Sequence, residues 1–266
     1  MRVQISKTPS APCWADLSTP DTDAARAFYE ALFGWRSRPA GGQAADGYRM
    51  FALDAQDGHL VAGVGPVSDP REPARWLPYF QSSGAEAVAA RVRGNRGRVV
   101  AGPVPALGQG RLAVCQDPAG AGFGLWEPLA HAGFEAVNVP SSFCWFELLT
   151  RDPAGAVDFY QAVLGWGTRR RPAGDAGPGA YTQWTVAGDA FGGLVDVAAQ
   201  EFPPEVPAPH WNLYVAVDAP DATAARCAEL GGRVLLAPRQ VATGRFAILA
   251  DPQGAVFSVM HGTPGD

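Results

Sequence analysis

The chain lacks the features that would announce a charged or membrane partner. No basic run exceeds Arg169-Arg170-Arg171 in 266 residues, and the formal net charge is −5. Clustered cations are what hold a phosphate backbone, so nucleic acid is not expected as a partner. No stretch approaches the ~18 apolar residues of a membrane span, and Met1 to Pro12 contains no apolar signal core. The expectation is a cytoplasmic protein with no membrane partner. Four cysteines, Cys13, Cys115, Cys144 and Cys227, lie far apart with no C-x-x-C spacing, which favours buried reduced thiols over a zinc knuckle or redox pair. A strand-to-helix G-x-G-x-x-G unit, a P-loop and a G-x-S-x-G elbow are also missing, so nucleotide cofactors and serine hydrolysis have no motif behind them. No cofactor is expected.

What is present is apolar material, at 47% hydrophobic against 18% charged residues. That suits one large or two ordinary globular domains. An internal repeat decides for two. Residues 13–35, CWADLSTPDTDAARAFYEALFGW, align without a gap on 144–166, CWFELLTRDPAGAVDFYQAVLGW, with 11 identities in 23 positions. The match continues through Trp76 with Trp211, Tyr79 with Tyr214, Gly97-Arg98-Val99 with Gly232-Arg233-Val234, and Asp117-Pro118 with Asp251-Pro252. The expected division is an N-terminal domain over 1–130, a linker over 131–140 and a C-terminal domain over 141–266.

Within each half the pattern reads as a strand, a helix and three strands, written twice. Asp21 and Asp152 are placed to cap a helix whose apolar face is Ala24, Ala25, Phe28, Leu32 and Phe33 in the first copy and Ala156, Phe159, Val163 and Leu164 in the second. Gly34 and Gly165 stop it. Short strand-like runs follow near 35–38, 47–53 and 59–65; the second unit has a strand near 76–81, a helix near 84–93, and strands near 98–101, 111–116 and 122–127. The fold class is therefore α+β, with two tandem domains of two βαβββ modules each. The segment 172–179, PAGDAGPG, reads as a surface loop.

The D-x₆-F-Y-x₄-G-W signature at Asp21 to Trp35 and Asp152 to Trp166, with the closing hairpins at Asp117-Pro-Ala-Gly and Asp251-Pro-Gln-Gly, resembles the vicinal oxygen chelate superfamily of glyoxalases, bleomycin-resistance proteins and extradiol dioxygenases. The whole chain resembles its two-domain actinobacterial glyoxalase-like members. The resemblance implies that paired modules form a half-open cup holding a small molecule. It implies no reaction, because the superfamily includes isomerases, dioxygenases and drug binders. Metal-using members take His or Glu ligands from the strands lining the cup. In this chain the corresponding positions are Trp14, Leu77 and Gly124 in one half and Trp145, Asn212 and Ser258 in the other. An indole N–H donates and cannot ligate, so no metal is expected; Glu147 and His261 are the nearest alternative donors.

Strand alternation puts Trp14 with Asp16, and Trp145 with Glu147, on one face. Either carboxylate could be a general acid or base in a partly dry cup, or a structural acid that pairs with an Arg. Glu147 is favoured because His210, Asn212 and Tyr214 alternate on one strand of its half, a polar set able to orient a ligand or relay a proton. The catalytic candidates are thus Glu147, His210, Tyr214 and Asp16. Candidates for ligand contact are Trp14 and Trp145 as stacking walls, Asn212, and Arg111 and Arg245, which equally could form salt bridges. The leading expectation is a metal-independent protein transforming an apolar or aromatic, oxygenated small molecule by acid/base chemistry. The alternatives are a protein that sequesters such a molecule and a scaffold whose cups are filled by side chains. A monomer or a homodimer is compatible with all three, since the duplication supplies internally the pairing that single-domain relatives obtain by dimerising.

Overall fold

The computed structural model describes residues 8–40, 47–53, 58–69, 71–171, 181–199, 202–241 and 243–262. The loop at 172–179 lies outside them. The first half comprises β1 (Pro12–Thr19), α1 (Thr22–Phe33), β2 (Arg36–Pro39), β3 (Arg49–Ala52), β4 (Leu60–Pro66), β5 (Arg75–Gln81), α2 (Ala85–Gly94), β6 (Arg98–Ala106), β7 (Gly110–Gln116) and β8 (Gly122–Pro128). The second repeats the order as β9 (Phe143–Thr150), α3 (Pro153–Leu164), β10 (Gly167–Arg171), β11 (Tyr181–Val186), β12 (Asp189–Asp196), β13 (His210–Ala216), α4 (Pro220–Glu229), β14 (Arg233–Val241), β15 (Gly244–Ala250) and β16 (Val256–Gly262).

The expected caps form. Asp21 accepts from the Ala24 amide and Asp152 from the Gly155 amide, both at 2.9 Å. Gly34 and Gly165 then end α1 and α3 at φ 73° and 72°, the left-handed turn that a side chain disfavours. One strand runs further than the residue pattern suggests. Pro103 and Pro105 imply a stop near residue 101, yet β6 continues to Ala106, because it is an edge strand and two register shifts against β7 accommodate the prolines.

Each half forms one eight-stranded mixed sheet, in the order β2-β3-β4-β1-β5-β8-β7-β6 and β10-β11-β12-β9-β13-β16-β15-β14. The modules join at the centre, where β1 runs antiparallel to β5 and β9 to β13. The registers are equivalent: Trp14 opposes Tyr79 and Asp16 opposes Leu77, as Trp145 opposes Tyr214 and Glu147 opposes Asn212. The gapless sequence repeat is thus a gapless structural one.

The two halves share a core. Cys13, Ala15 and Leu17 alternate onto the helix-bearing face of the first sheet and join one buried apolar cluster with Phe159, Tyr160, Trp166 and Phe257 from the second. The signature residues close this interface. Tyr29 of α1 donates to the Asp251 carboxylate across the halves at 3.1 Å and accepts from the Trp76 indole at 2.9 Å. Tyr160 of α3 does the same with Asp117 at 3.3 Å and Trp211 at 3.0 Å. Trp35 donates to the Ser141 carbonyl and Trp166 to the Ser10 carbonyl. The buried face of α1 therefore includes Tyr29, which an amphipathic reading of one isolated domain leaves out, while Ala24 and Leu32 are only partly covered.

Residues 131–140 carry no helix or strand and lie against the first sheet: the Phe134 amide donates to Cys13 and the Glu135 amide to Leu60. All four cysteines are buried and unpaired. No helix among the described residues is long and apolar enough to cross a membrane.

Candidate functional site

The residues alternating with the core set point to the opposite face of each sheet, the cup. In the second half Glu147 stands at the middle of this face, between Asn212 on β13 and Gly193 on β12. Gly193 has no side chain, and the Tyr181 phenol occupies the space a Cβ would take. That close approach brings the Tyr181 hydroxyl to Glu147 Oε1 at 2.5 Å, while the Tyr214 hydroxyl donates to Oε2 at 2.6 Å. The Trp145 indole N–H donates to the Tyr181 oxygen at 2.9 Å, and Asn212 Nδ2 to Ser258 Oγ at 2.8 Å. Glu147 is 7% exposed and, among the described residues, has no hydrogen bond to an arginine. Burial raises its pKa; the two phenol hydrogen bonds and the charge of Arg239 oppose the rise. Burial and the neighbouring carboxylate push Tyr181 and Tyr214 well above the usual tyrosine range, so both remain neutral donors near neutral pH.

The first half repeats the cluster with a shorter acid. Gly63 opposes Asp16 and gives way to the Tyr48 phenol. Tyr48 donates to Asp16 Oδ1 at 2.6 Å, and the Trp14 indole donates to the same oxygen at 2.8 Å. Burial raises the Asp16 pKa against hydrogen bonds from Tyr48, Trp14 and Tyr79.

The floors of the cups differ. Leu77 and Gly124 in the first are replaced by Asn212 and Ser258 in the second, and the Tyr79 ring fills the place of a side chain at 124. Trp14 is covered by His131, edge-on at 4.4 Å, and by Phe134. Among the described residues both cups keep buried polar atoms with no hydrogen-bond partner: His131 Nε2 beside the first, and Asn212 Oδ1 and both ring nitrogens of His210 in the second. Burial lowers the His210 pKa to about 4, so the ring is neutral; the Pro207 carbonyl lies near enough to oppose that shift but outside hydrogen-bonding geometry. Native proteins leave few such groups unpaired, and those that remain call for a ligand, a solvent molecule or a strain to explain them.

The structure brings Glu147, Tyr214, Asn212 and Trp145 together. His210 shares their face but opposes Leu149 and does not bond Glu147. Arg111 and Arg245 do not reach either cup. They share a strand face with the core residues Ala113 and Cys115, and Ala247 and Leu249, which turns them to the helix side. There Arg111 pairs with Glu86 at 2.8 Å and Arg245 with Asp221 at 2.6 and 2.7 Å. Residue-level reading missed Tyr48, Tyr181 and Arg239. For the two tyrosines the available signal was the glycines inside β4 and β12, a mark of close approach.

The donor set does not fit a divalent ion. Among the described residues each cup offers one carboxylate, already engaged by neutral hydroxyl or indole donors, and Trp14, Leu77, Gly124 and Trp145 supply no lone pair. Asn212 spends its amide N–H on Ser258 and keeps only Oδ1 free, His210 does not bond Glu147, and His261 opposes Arg245 on the face away from the cup. Among the described residues no three His, Cys, Asp or Glu side chains group closely enough to hold a metal.

Two cups built from paired βαβββ modules, each centred on the first strand of the first module, define the class. The chain belongs to the glyoxalase/bleomycin resistance protein/dioxygenase superfamily, whose family pattern matches residues 13–125, while a glyoxalase-like domain pattern matches 145–260. It is 38% identical over 269 residues to the anthracycline biosynthesis protein DnrV of Streptomyces peucetius, covering 95% of this chain and 94% of that one. Two solved structures share the fold. The Mn(II)-bound glyoxalase of Novosphingobium aromaticivorans has 17% identity and a TM-score of 0.64, over 96% of this chain and 83% of that one. The 2,3-dioxygenase LapB of Pseudomonas sp. KL28 has 14% identity and a TM-score of 0.64, over 98% and 95%.

Proposed function

We propose that the second cup binds and transforms an apolar, oxygenated small molecule by acid/base chemistry, without a metal. The observation that carries this reading is the Glu147 carboxylate, buried yet held by two neutral phenols in place of a cation. The buried carboxylates of the inter-half locks, Asp117 and Asp251, each accept backbone amides as well as a phenol, whereas Glu147 accepts from phenols alone. A carboxylate so held, with a raised pKa, is poised to take a proton and return it. Glu147 accepts a proton from the ligand, and Tyr181 or Tyr214 turns its hydroxyl from the carboxylate to a ligand oxygen. The free Asn212 carbonyl and the neutral His210 ring orient the molecule. The likeness to an anthracycline biosynthesis protein supports an aromatic, oxygenated ligand. Asp16, under a covered Trp14 and an apolar floor, serves as a structural acid. Each cup is completed within one chain, so the reading needs no second subunit.

Sequestration without conversion is the second reading. It is favoured by the occupation of both Glu147 oxygens by phenols. Incubating EDTA-treated protein with an anthracycline aglycone in D₂O, followed by mass spectrometry, separates the two. The first reading expects bound compound to return labelled with deuterium or altered in mass. Bound but unchanged compound would favour sequestration, absence of binding would overturn both, and conversion that returns only with added metal would overturn metal independence.

A further inference from the structure

Arg239 on β14 opposes Phe246 on β15. Directly opposed residues of an antiparallel pair share a face. Phe246 belongs to the cluster lining the second cup, with Trp145, Tyr214, Ile248 and Met260, and its ring lies 6.1 Å from that of Tyr214. Arg239 is therefore a cup-side residue, and its guanidinium sits over the Phe246 ring at 5.0 Å. It is exposed, and among the described residues it makes neither an ion pair nor a hydrogen bond. Its charge nevertheless reaches inward, since it acts on Glu147. The equivalent pair in the first cup is Val104 and Leu112, so the cation is particular to the half with the polar floor. Arg111 and Arg245, by contrast, are spent on acids of the helices behind the sheets.

We infer that the second cup selects a planar aromatic molecule bearing an anionic oxygen group, with Arg239 at the rim holding that group while the body of the molecule lies over Phe246 and Tyr214 toward Glu147. This rests on the reading of the second cup as a ligand site. An exposed guanidinium with no ion pair among the described residues, beside the apolar cluster of the second cup, gives a charge-assisted, fork-shaped contact to a carboxylate or phenolate. Glu147 at the other end disfavours a second negative charge deeper in, which fixes the molecule's direction.

The test uses two matched probes, anthraquinone-2-carboxylate and the neutral anthraquinone-2-carboxamide, titrated calorimetrically into the full-length protein. Wild type is expected to bind the carboxylate about 10-fold more tightly, a preference that shrinks with added salt. Arg239→Gln should equalise the two probes by weakening the carboxylate alone, and Arg239→Lys should restore part of the preference. Arg226→Gln, which removes the same charge from an arginine paired with Glu229 on α4, should leave the preference intact. Equal binding of both probes by wild type, or a preference that survives Arg239→Gln, would overturn the inference while leaving the cup reading standing. Binding of neither probe would overturn both.

Discussion

Glu147 and Asp16 occupy one register position, yet their surroundings give them different work. Strand alternation was enough to place both acids beside a tryptophan on the cup face, and the His-Asn-Tyr run was enough to favour the second half. It could not show what holds the carboxylates, because Tyr48 and Tyr181 lie more than 30 residues further along the chain and meet the acids only once β3 and β11 have paired. The raised pKa of Glu147 has a measurable consequence for stability. A native carboxyl that binds its proton more tightly than the unfolded chain contributes stability that is complete below the unfolded pKa and lost as pH rises through the native one. Glu147→Gln cannot ionise and escapes that loss. The melting temperature of Glu147→Gln relative to wild type should therefore climb as pH increases from about 4 to about 8. A difference that is constant or shrinks over that range would show that the native carboxyl is not raised.

At the scale of elements, the strand-helix-strand signatures were legible because each helix carries its own stop and start signals, Asp21 and Gly34 or Asp152 and Gly165. The end of β6 was not, since Gly102-Pro103 is a break in a central strand but a tolerated irregularity at an edge. Tyr29, part of the Phe-Tyr signature but outside the apolar face read from the spacing, forms half of a lock between α1 and the β15–β16 hairpin. Tyr29→Phe leaves a buried carboxylate oxygen of Asp251 and the Trp76 indole N–H without their partner. Denaturant unfolding should show a loss of about 1–3 kcal/mol, with a similar loss for Tyr160→Phe. Unchanged midpoints in both variants would mean that the tyrosine bonds contribute nothing net to the interface.

For the whole molecule, the duplication made the architecture readable, whereas the mutual placement of the halves depends on two helix-bearing faces that only together form a core. One buried cluster contains Trp35 and Phe51 of the first half with Trp166 and Phe257 of the second. The halves should accordingly unfold as one unit, with coincident transitions by tryptophan fluorescence and far-ultraviolet circular dichroism. Two separated transitions would contradict a shared core. The same arrangement leaves both cups facing away from the interface, with Trp14 of the first packed against His131 and Phe134.

The most direct test of a working second cup compares Glu147→Gln with Asp16→Asn, each shape-conserving and each matched to wild type for melting temperature before use. Conversion of an anthracycline aglycone, or its binding where no conversion occurs, is then followed for all three proteins. A working acid/base at Glu147 should make the first substitution cost on the order of 10²–10⁴-fold in rate, and Asp16→Asn should leave the rate within about twofold of wild type. Normal handling of the compound by a stably folded Glu147→Gln protein, with failure of Asp16→Asn, would place the working cup in the first half and contradict the assignment made here.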